Sequence, residues 1–210
     1  MPPAGLFVTL EGGEGAGKSL QGRALARRLQ EQGVPHLLTY EPGATDLGRR
    51  LRELLMDVVL EPSPWTELFL FAADRAQHVQ EVIAPALSEG KLVLCERFDD
   101  STLAYQGYGR GLPLEQVRAV CRLASAGLVP HLTLLLDVPP QLGLARKQGD
   151  DDRFRHQPSA FHQRVREGYL ALAQQEPGRI AVVDASLPPQ QVTDLLWQRL
   201  QALLAGGAGR

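Results

Sequence analysis

Gly12-Gly13-Glu14-Gly15-Ala16-Gly17-Lys18-Ser19 stands between an apolar run at residues 6–10 and a helix-patterned segment at 20–32. Strand, glycine turn and helix in that order form the setting in which the spacing GxxxxGKS binds the phosphates of a nucleotide. The glycines let the backbone curl until several N–H groups point at one centre, with the positive end of the helix behind them. Lys18 adds a cation over the outer phosphates, and the Ser19 hydroxyl is placed for a magnesium ion. Gly12, Gly13, Glu14, Gly15, Ala16, Gly17, Lys18 and Ser19 are therefore the expected triphosphate-binding residues. In the helix Leu25, Ala26 and Leu29 share one face, while Arg23, Arg27, Arg28 and Gln30 fall elsewhere, as a segment packed on a sheet requires.

Further apolar runs recur after helix-patterned segments, at His36–Tyr40, 91–95, Leu132–Asp137 and 180–183. Such alternation predicts an α/β domain with a five-stranded parallel sheet and helices on both faces. Right-handed crossovers gather the strand carboxyl ends along one edge, where ligands bind in folds of this kind. Glu41, Glu96 and Arg97 each follow a predicted strand directly, so they fall at the same edge as the glycine loop. Residues 65–87 read as a long helix broken or bent near Pro85, and 147–158, polar and almost without apolar anchors, as a mobile flap. The Gly- and Ala-rich 205–210 reads as a disordered tail.

At 210 residues and 44% hydrophobic the chain suits a single domain spanning 1–210. A formal charge of −2, with acids and bases interspersed, argues against a nucleic-acid-binding surface. Cys95 and Cys121 sit in apolar patterns and read as buried thiols of a reduced, cytoplasmic protein rather than metal ligands. The sequence contains no run of eighteen apolar residues, so no membrane span is expected.

Phosphoryl transfer asks mainly for positioned cations, because negative charge accumulates on the transferred group. Lys18 serves the triphosphate, while Arg97 and Arg52 are placed to grip a second phosphate at the same edge, which points to a kinase. Glu14 and Glu96 are acids where a triphosphate would lie; each is either paired with a magnesium ion, a sugar hydroxyl or an arginine, or is a solvated carboxylate.

Tyr40-Glu41-Pro42-Gly43-Ala44-Thr45, Phe71-Ala72-Ala73-Asp74-Arg75, Glu96-Arg97-Phe98 and Ser101 through Tyr105-Gln106-Gly107 occur in this order. Together they resemble the thymidylate kinase family, whose bacterial members carry Arg-Glu-Pro-Gly-Gly-Thr, Asp-Arg-aromatic and Ser-x-x-x-Tyr-Gln-Gly stretches. The resemblance implies a P-loop kinase fold with a short lid at about 147–158, ATP and dTMP as substrates in dTTP synthesis, Mg²⁺ as cofactor, and a homodimer. It implies that the aromatic at Phe71 stacks on thymine, that Arg75 bonds the base edge, and that Arg97 and Arg52 hold the acceptor phosphate. Ser101, Thr102, Gln106, Glu41 and Pro42 then line the dTMP site, and Tyr105 crowds the position of a ribose 2′-hydroxyl. Without the resemblance, Phe71 on a long apolar helix reads as core more readily than as a base platform, and Tyr105 reads equally as a packed aromatic.

The acceptor is itself an ionised phosphate, so no general base is required. Where some family members keep a loop arginine, this chain has Gly13, Glu14, Gly15 and Ala16, so the cation over the transferring group is expected from Arg146 or Arg153, with Lys147 behind. The expected catalytic set is thus Lys18, Arg97, Arg146, Arg153 and Glu14, and the magnesium set Ser19 and Glu96. Tyr40, Ala44, Glu96 and Arg155 depart from the family pattern near the acceptor phosphate and the lid. Another nucleotide kinase and a slow P-loop switch are the competing readings. The second lacks both an Asn-Lys-x-Asp motif and a water-orienting glutamine.

Overall fold

Five short apolar segments pair side by side in the order β2-β3-β1-β4-β5, all parallel. They are β1 (Phe7–Glu11), β2 (His36–Tyr40), β3 (Leu92–Glu96), β4 (Leu132–Asp137) and β5 (Ile180–Asp184). The computed structural model describes residues 5–146 and 153–207. Alternating side chains of β1 divide between the two faces of the sheet. Val8 and Leu10 pack with Leu94, Leu134 and Leu136 under α1 (Lys18–Glu31) and α9 (Pro189–Gly207), through Leu25, Leu29, Leu196 and Leu200. On the other side Phe7, Val93 and Cys95 meet Val79 and Ile83. There Leu135 packs on Val117 and Cys121 of α6 (Leu114–Ala124) and on Val165 and Leu172 of α8 (Ser159–Gln175). Central position in the sheet puts the carboxyl end of β1, and the glycine loop it feeds, in the middle of the ligand edge.

Thr45 caps α2 (Asp46–Met56), its side chain accepting from the Gly48 N–H. Ser63 caps α3 (Pro64–His78), whose first residue is a proline, a position where the missing N–H costs nothing. The expected break near Pro85 is absent. The helix instead widens into one π-helical turn, Val79–Ile83, and continues as α4 (Ala84–Ser88), so the wide turn takes up the strain a proline ring imposes on the preceding ladder. A second π-helical segment, Leu103–Gly109, follows the short α5 (Asp99–Thr102) and buries Tyr105 and Gln106 together. Three strand ends lie one residue later than the apolar pattern suggested, so Glu11, Glu96 and Asp184 are the last residues of β1, β3 and β5. The tail expectation also needs correction, since α9 runs through Gly207; 208–210 lie outside the described residues. Of the expected flap, 147–152 lie outside the described residues, while Arg153 and Phe154 are buried in the body of the domain. Among the described residues no helix is long and apolar enough to cross a membrane.

Candidate active site

The glycine loop leaves β1 with Gly12, Gly15 and Gly17 all at positive φ. A Cβ at Gly15 would stand 1.8 Å from the Gly143 carbonyl oxygen of α7 (Pro140–Arg146), so both backbone shape and crowding require glycine there. Lys18 is buried, and its Nζ donates to the carbonyls of Gly12 (3.0 Å) and Gly13 (2.8 Å). Burial, with the nearby Arg97 cation, pushes the ammonium down to about 8 against the opposing pull of Glu14, Glu96 and Glu11. The Ser19 hydroxyl donates to Glu96 Oε2 at 2.7 Å, bringing an alcohol and a carboxylate together at the mouth of the loop. Ala16 is packed in the core below.

Arg97, the first residue past β3, takes a left-handed φ of 67°, unusual for a side chain of its size. Its guanidinium donates from Nη2 to Glu14 Oε1 (2.9 Å) and from Nη1 to Ser101 Oγ (3.2 Å), and lies 5.0 Å from the centre of the Tyr105 ring. The Tyr105 hydroxyl donates to the same Glu14 oxygen at 2.9 Å. Glu14 is thus tied to Arg97 and Tyr105, not solvated.

A second cluster is built on β2 and α3. Arg75 Nε donates to Glu41 Oε2 (2.9 Å) and its Nη1 to Thr102 Oγ1 (2.9 Å). His78 joins Glu41 Oε1 at 2.9 Å through Nδ1 and Thr39 Oγ1 at 2.7 Å through Nε2. The Cys95 thiol lies within 4.8 Å of the Glu41 and His78 donor atoms. Both carboxylate oxygens and both imidazole nitrogens are already bonded, and burial holds the thiol well above its usual range, so the trio braces Arg75 rather than forming a metal centre. Arg52 Nη1 donates to the Pro42 carbonyl at 3.0 Å.

Apart from His78 and Cys95, which stand behind Glu41, the side chains of both clusters line one cavity of about 630 Å³. Its walls bring together Glu14, Gly15, Gly17, Lys18 and Ser19 at the loop and Glu96, Arg97 and Arg146 beside it; Glu41, Pro42, Arg52, Phe71, Arg75, Ser101, Thr102, Tyr105 and Gln106 line it further on, with Tyr40, Met56 and Phe154 among their neighbours. Gly12, Gly13 and Ala16 stand behind the loop, and Arg153 does not reach the cavity. Arg153 instead bonds the Leu55 carbonyl and Glu67, whose carboxylate also accepts from Gln106 Nε2 (2.7 Å) and Arg110 Nη2 (3.0 Å). Arg146 donates to the carbonyls of Ala185 (2.7 Å) and Ser186 (3.1 Å), at the turn after β5. Two phosphate-seeking clusters and an aromatic wall in one cavity suit a nucleotide donor and a nucleotide acceptor held end to end.

A family model described as thymidylate kinase matches residues 10–196. The chain belongs to the thymidylate kinase family. It is 52% identical over 200 residues to the thymidylate kinase of Synechococcus sp. (strain JA-2-3B'a(2-13)), covering 95% of this chain and 96% of the relative. Against that of Desulfovibrio desulfuricans it is 54% identical over 198 residues, covering 89% and 91%. The crystal structure of thymidylate kinase from Ehrlichia chaffeensis superposes with a TM-score of 0.78 at 32% identity, covering 94% of this chain and 99% of that one.

Within this family member the structure adds residues that the motif reading passed over: Glu11, Glu67, His78 and Phe154. His78 stands one helical turn beyond Asp74 and Arg75 and so shares their face of α3, which places it inside with Arg75 once Arg75 is assigned to the site. Phe154 packs against Phe71 and Tyr105, with ring centroids 6.1 and 5.7 Å apart. It lies inside the polar stretch at 147–158, and no periodicity betrays it.

Proposed function

We propose that this chain is a dTMP kinase, transferring the γ-phosphoryl group of ATP to dTMP to make dTDP for dTTP synthesis, and that it works as a single cytoplasmic domain within a homodimer. The observation that carries the reading of the site is the shared cavity, in which Lys18 and the Arg97, Phe71 and Arg75 group lie on the same walls.

ATP phosphates lie in the loop amides, and Lys18 gives up the Gly12 and Gly13 carbonyls for the β- and γ-oxygens. The Ser19 hydroxyl and Glu96 carboxylate, already 2.7 Å apart, supply the hard oxygen ligands a magnesium ion prefers. That ion, when bound, neutralises charge on the phosphate oxygens. dTMP places its base against Phe71 with Arg75 on the base edge, and its sugar against Tyr105. Its phosphate lies between Arg97 and Arg52, with Glu41, Pro42, Ser101, Thr102 and Gln106 completing the pocket. The acceptor oxygen is already ionised, so the barrier is the approach of two anions, and the cations between them lower it.

Arg146, on the cavity wall, serves as the arginine over the transferring group in the arrangement described. Arg153 joins it when it leaves Glu67. Arg146→Ala is expected to lower kcat about a hundredfold and Arg153→Ala less; unchanged kcat in both variants would remove the two arginines from the mechanism.

The function is tested by ADP release with Mg-ATP and dTMP, dUMP, dCMP, dGMP, AMP or thymidine as acceptor. Turnover strongly favouring dTMP supports it, and preference for another acceptor overturns the pocket assignment. Light scattering at micromolar concentration should return twice the chain mass, and the mass of a single chain would rule out the homodimer.

A further inference from the structure

Glu11 ends β1 on the face opposite Val8 and Leu10, and it is completely buried. Two of the contacts of its carboxylate lead to Arg97, and the third is to Tyr169 of α8. Oε1 accepts from the Phe98 N–H at 2.7 Å, the amide directly after the left-handed Arg97. Oε2 accepts from the Ser101 hydroxyl at 2.5 Å and from the Tyr169 hydroxyl at 3.1 Å. The Ser101 oxygen also lies 2.7 Å from the Tyr169 hydroxyl, so with its proton spent on Glu11 and one lone pair facing Tyr169, the other is left for Arg97 Nη1 at 3.2 Å. The backbone strain at Arg97 and the direction of its guanidinium therefore answer to the same carboxylate. Burying an acid in an apolar sheet is costly, and the cost is warranted where the acid holds a fixed geometry.

We propose that Glu11 is a positioning residue for Arg97, acting through the Phe98 amide and the Ser101 hydroxyl, so that it governs recognition of the acceptor's phosphate and not of its base. The proposal rests on the reading of Arg97 as the acceptor-phosphate ligand. Glu11→Gln keeps size and shape but puts an NH₂ donor against either the Phe98 N–H or the two hydroxyls. In the second case the new donor competes with Arg97 for the Ser101 oxygen. Ser101→Ala cuts the link to Nη1 while leaving the Phe98 contact in place.

The test measures, by calorimetry, the Kd of dTMP and of thymidine, which lacks the phosphate, for the full chain and for E11Q, S101A, R97A and E11Q/R97A. The expected result is about a tenfold weaker Kd for dTMP in E11Q, thymidine within twofold of the parent, and no further loss when E11Q is added to R97A. Equal loss for both ligands, or no loss for either, overturns the proposal, since a general brace of the pocket would not distinguish them. S101A carries the same comparison if E11Q does not fold, with a phosphate-selective loss supporting the proposal and an unselective or absent loss overturning it. Should R97A leave the preference for dTMP over thymidine intact, the reading of Arg97 falls and the proposal with it. An R97A variant that abolishes that preference beside an E11Q variant that keeps it sinks the role of Glu11 alone.

Discussion

Lys18→Ala is expected to lower kcat about a thousandfold without lowering the thermal midpoint of the ligand-free protein at pH 7. The activity loss follows from removing the cation that meets charge on the triphosphate. The stability result follows from the state of that cation before ATP arrives. Its ammonium is buried under two carbonyls and pushed down to about 8. A base whose folded pKa lies below its unfolded value of 10.5 binds its proton less tightly in the folded state, so folding gains stability as pH rises from about 8 to 10.5 and loses it as pH falls. At pH 7 the full penalty, about 3 kcal/mol, is present, and alanine removes it along with two hydrogen bonds worth about 1 kcal/mol each. Turnover measured by ADP release and unfolding followed by circular dichroism check both halves. A midpoint several degrees lower would show that Lys18 supports the loop rather than straining it. Such a result would leave the activity loss without a specific cause.

Arg75→Ala is expected to destabilise the protein by 3–5 kcal/mol, shifting the midpoint by roughly 10 °C, and to abolish measurable dTMP binding. Arg75 and Glu41 side chains are each only 3% exposed, and removing the guanidinium leaves a buried carboxylate with His78 as its remaining partner. The loss belongs to the uncompensated charge more than to the contact. A double variant, Glu41→Gln with Arg75→Met, should therefore recover a large part of it. Urea unfolding of the two single variants and the double would show a coupling of about 2 kcal/mol or more; additive losses would mean that the pair is not a unit.

The glycine-loop side of the cavity in this enzyme is written in contiguous residues. GxxxxGKS, the strand before it and the helix after it form one local unit, so the cradle, Lys18 and Ser19 were legible without knowledge of any distant contact. Strand positions were legible for a related reason. A sheet covered on both faces needs uninterrupted apolar runs, and such runs stand out between polar helices. The ends of β1, β3 and β5 were read one residue short because Glu11, Glu96 and Asp184 are charged, and charge at a strand terminus looks like loop until the partner groups are known.

The opposite side of the cavity is assembled from β2, α3, the end of β3 and the π-helical segment at Leu103–Gly109, segments far apart in sequence. Motif resemblance could name Arg75, Arg97 and Tyr105. It could not say that Glu14 binds both Arg97 and Tyr105, or that Glu67 gathers Gln106, Arg110 and Arg153 into one buried cluster. The same holds for the flap, where Arg153, in a largely polar stretch of sequence, is held in the domain by the Glu67 carboxylate of α3 and the Leu55 carbonyl.

By itself the sequence determined the sheet's strands, the nucleotide loop and the family, because local backbone chemistry and hydrophobic period need only near neighbours. Only the tertiary structure decided which acids are paired, that the helix runs on through Pro85 by way of a π-helical turn, and that Glu11 stands behind Arg97. A buried charge is defined by what folding brings within about 3 Å of it, and those partners lie up to 158 residues away along the chain.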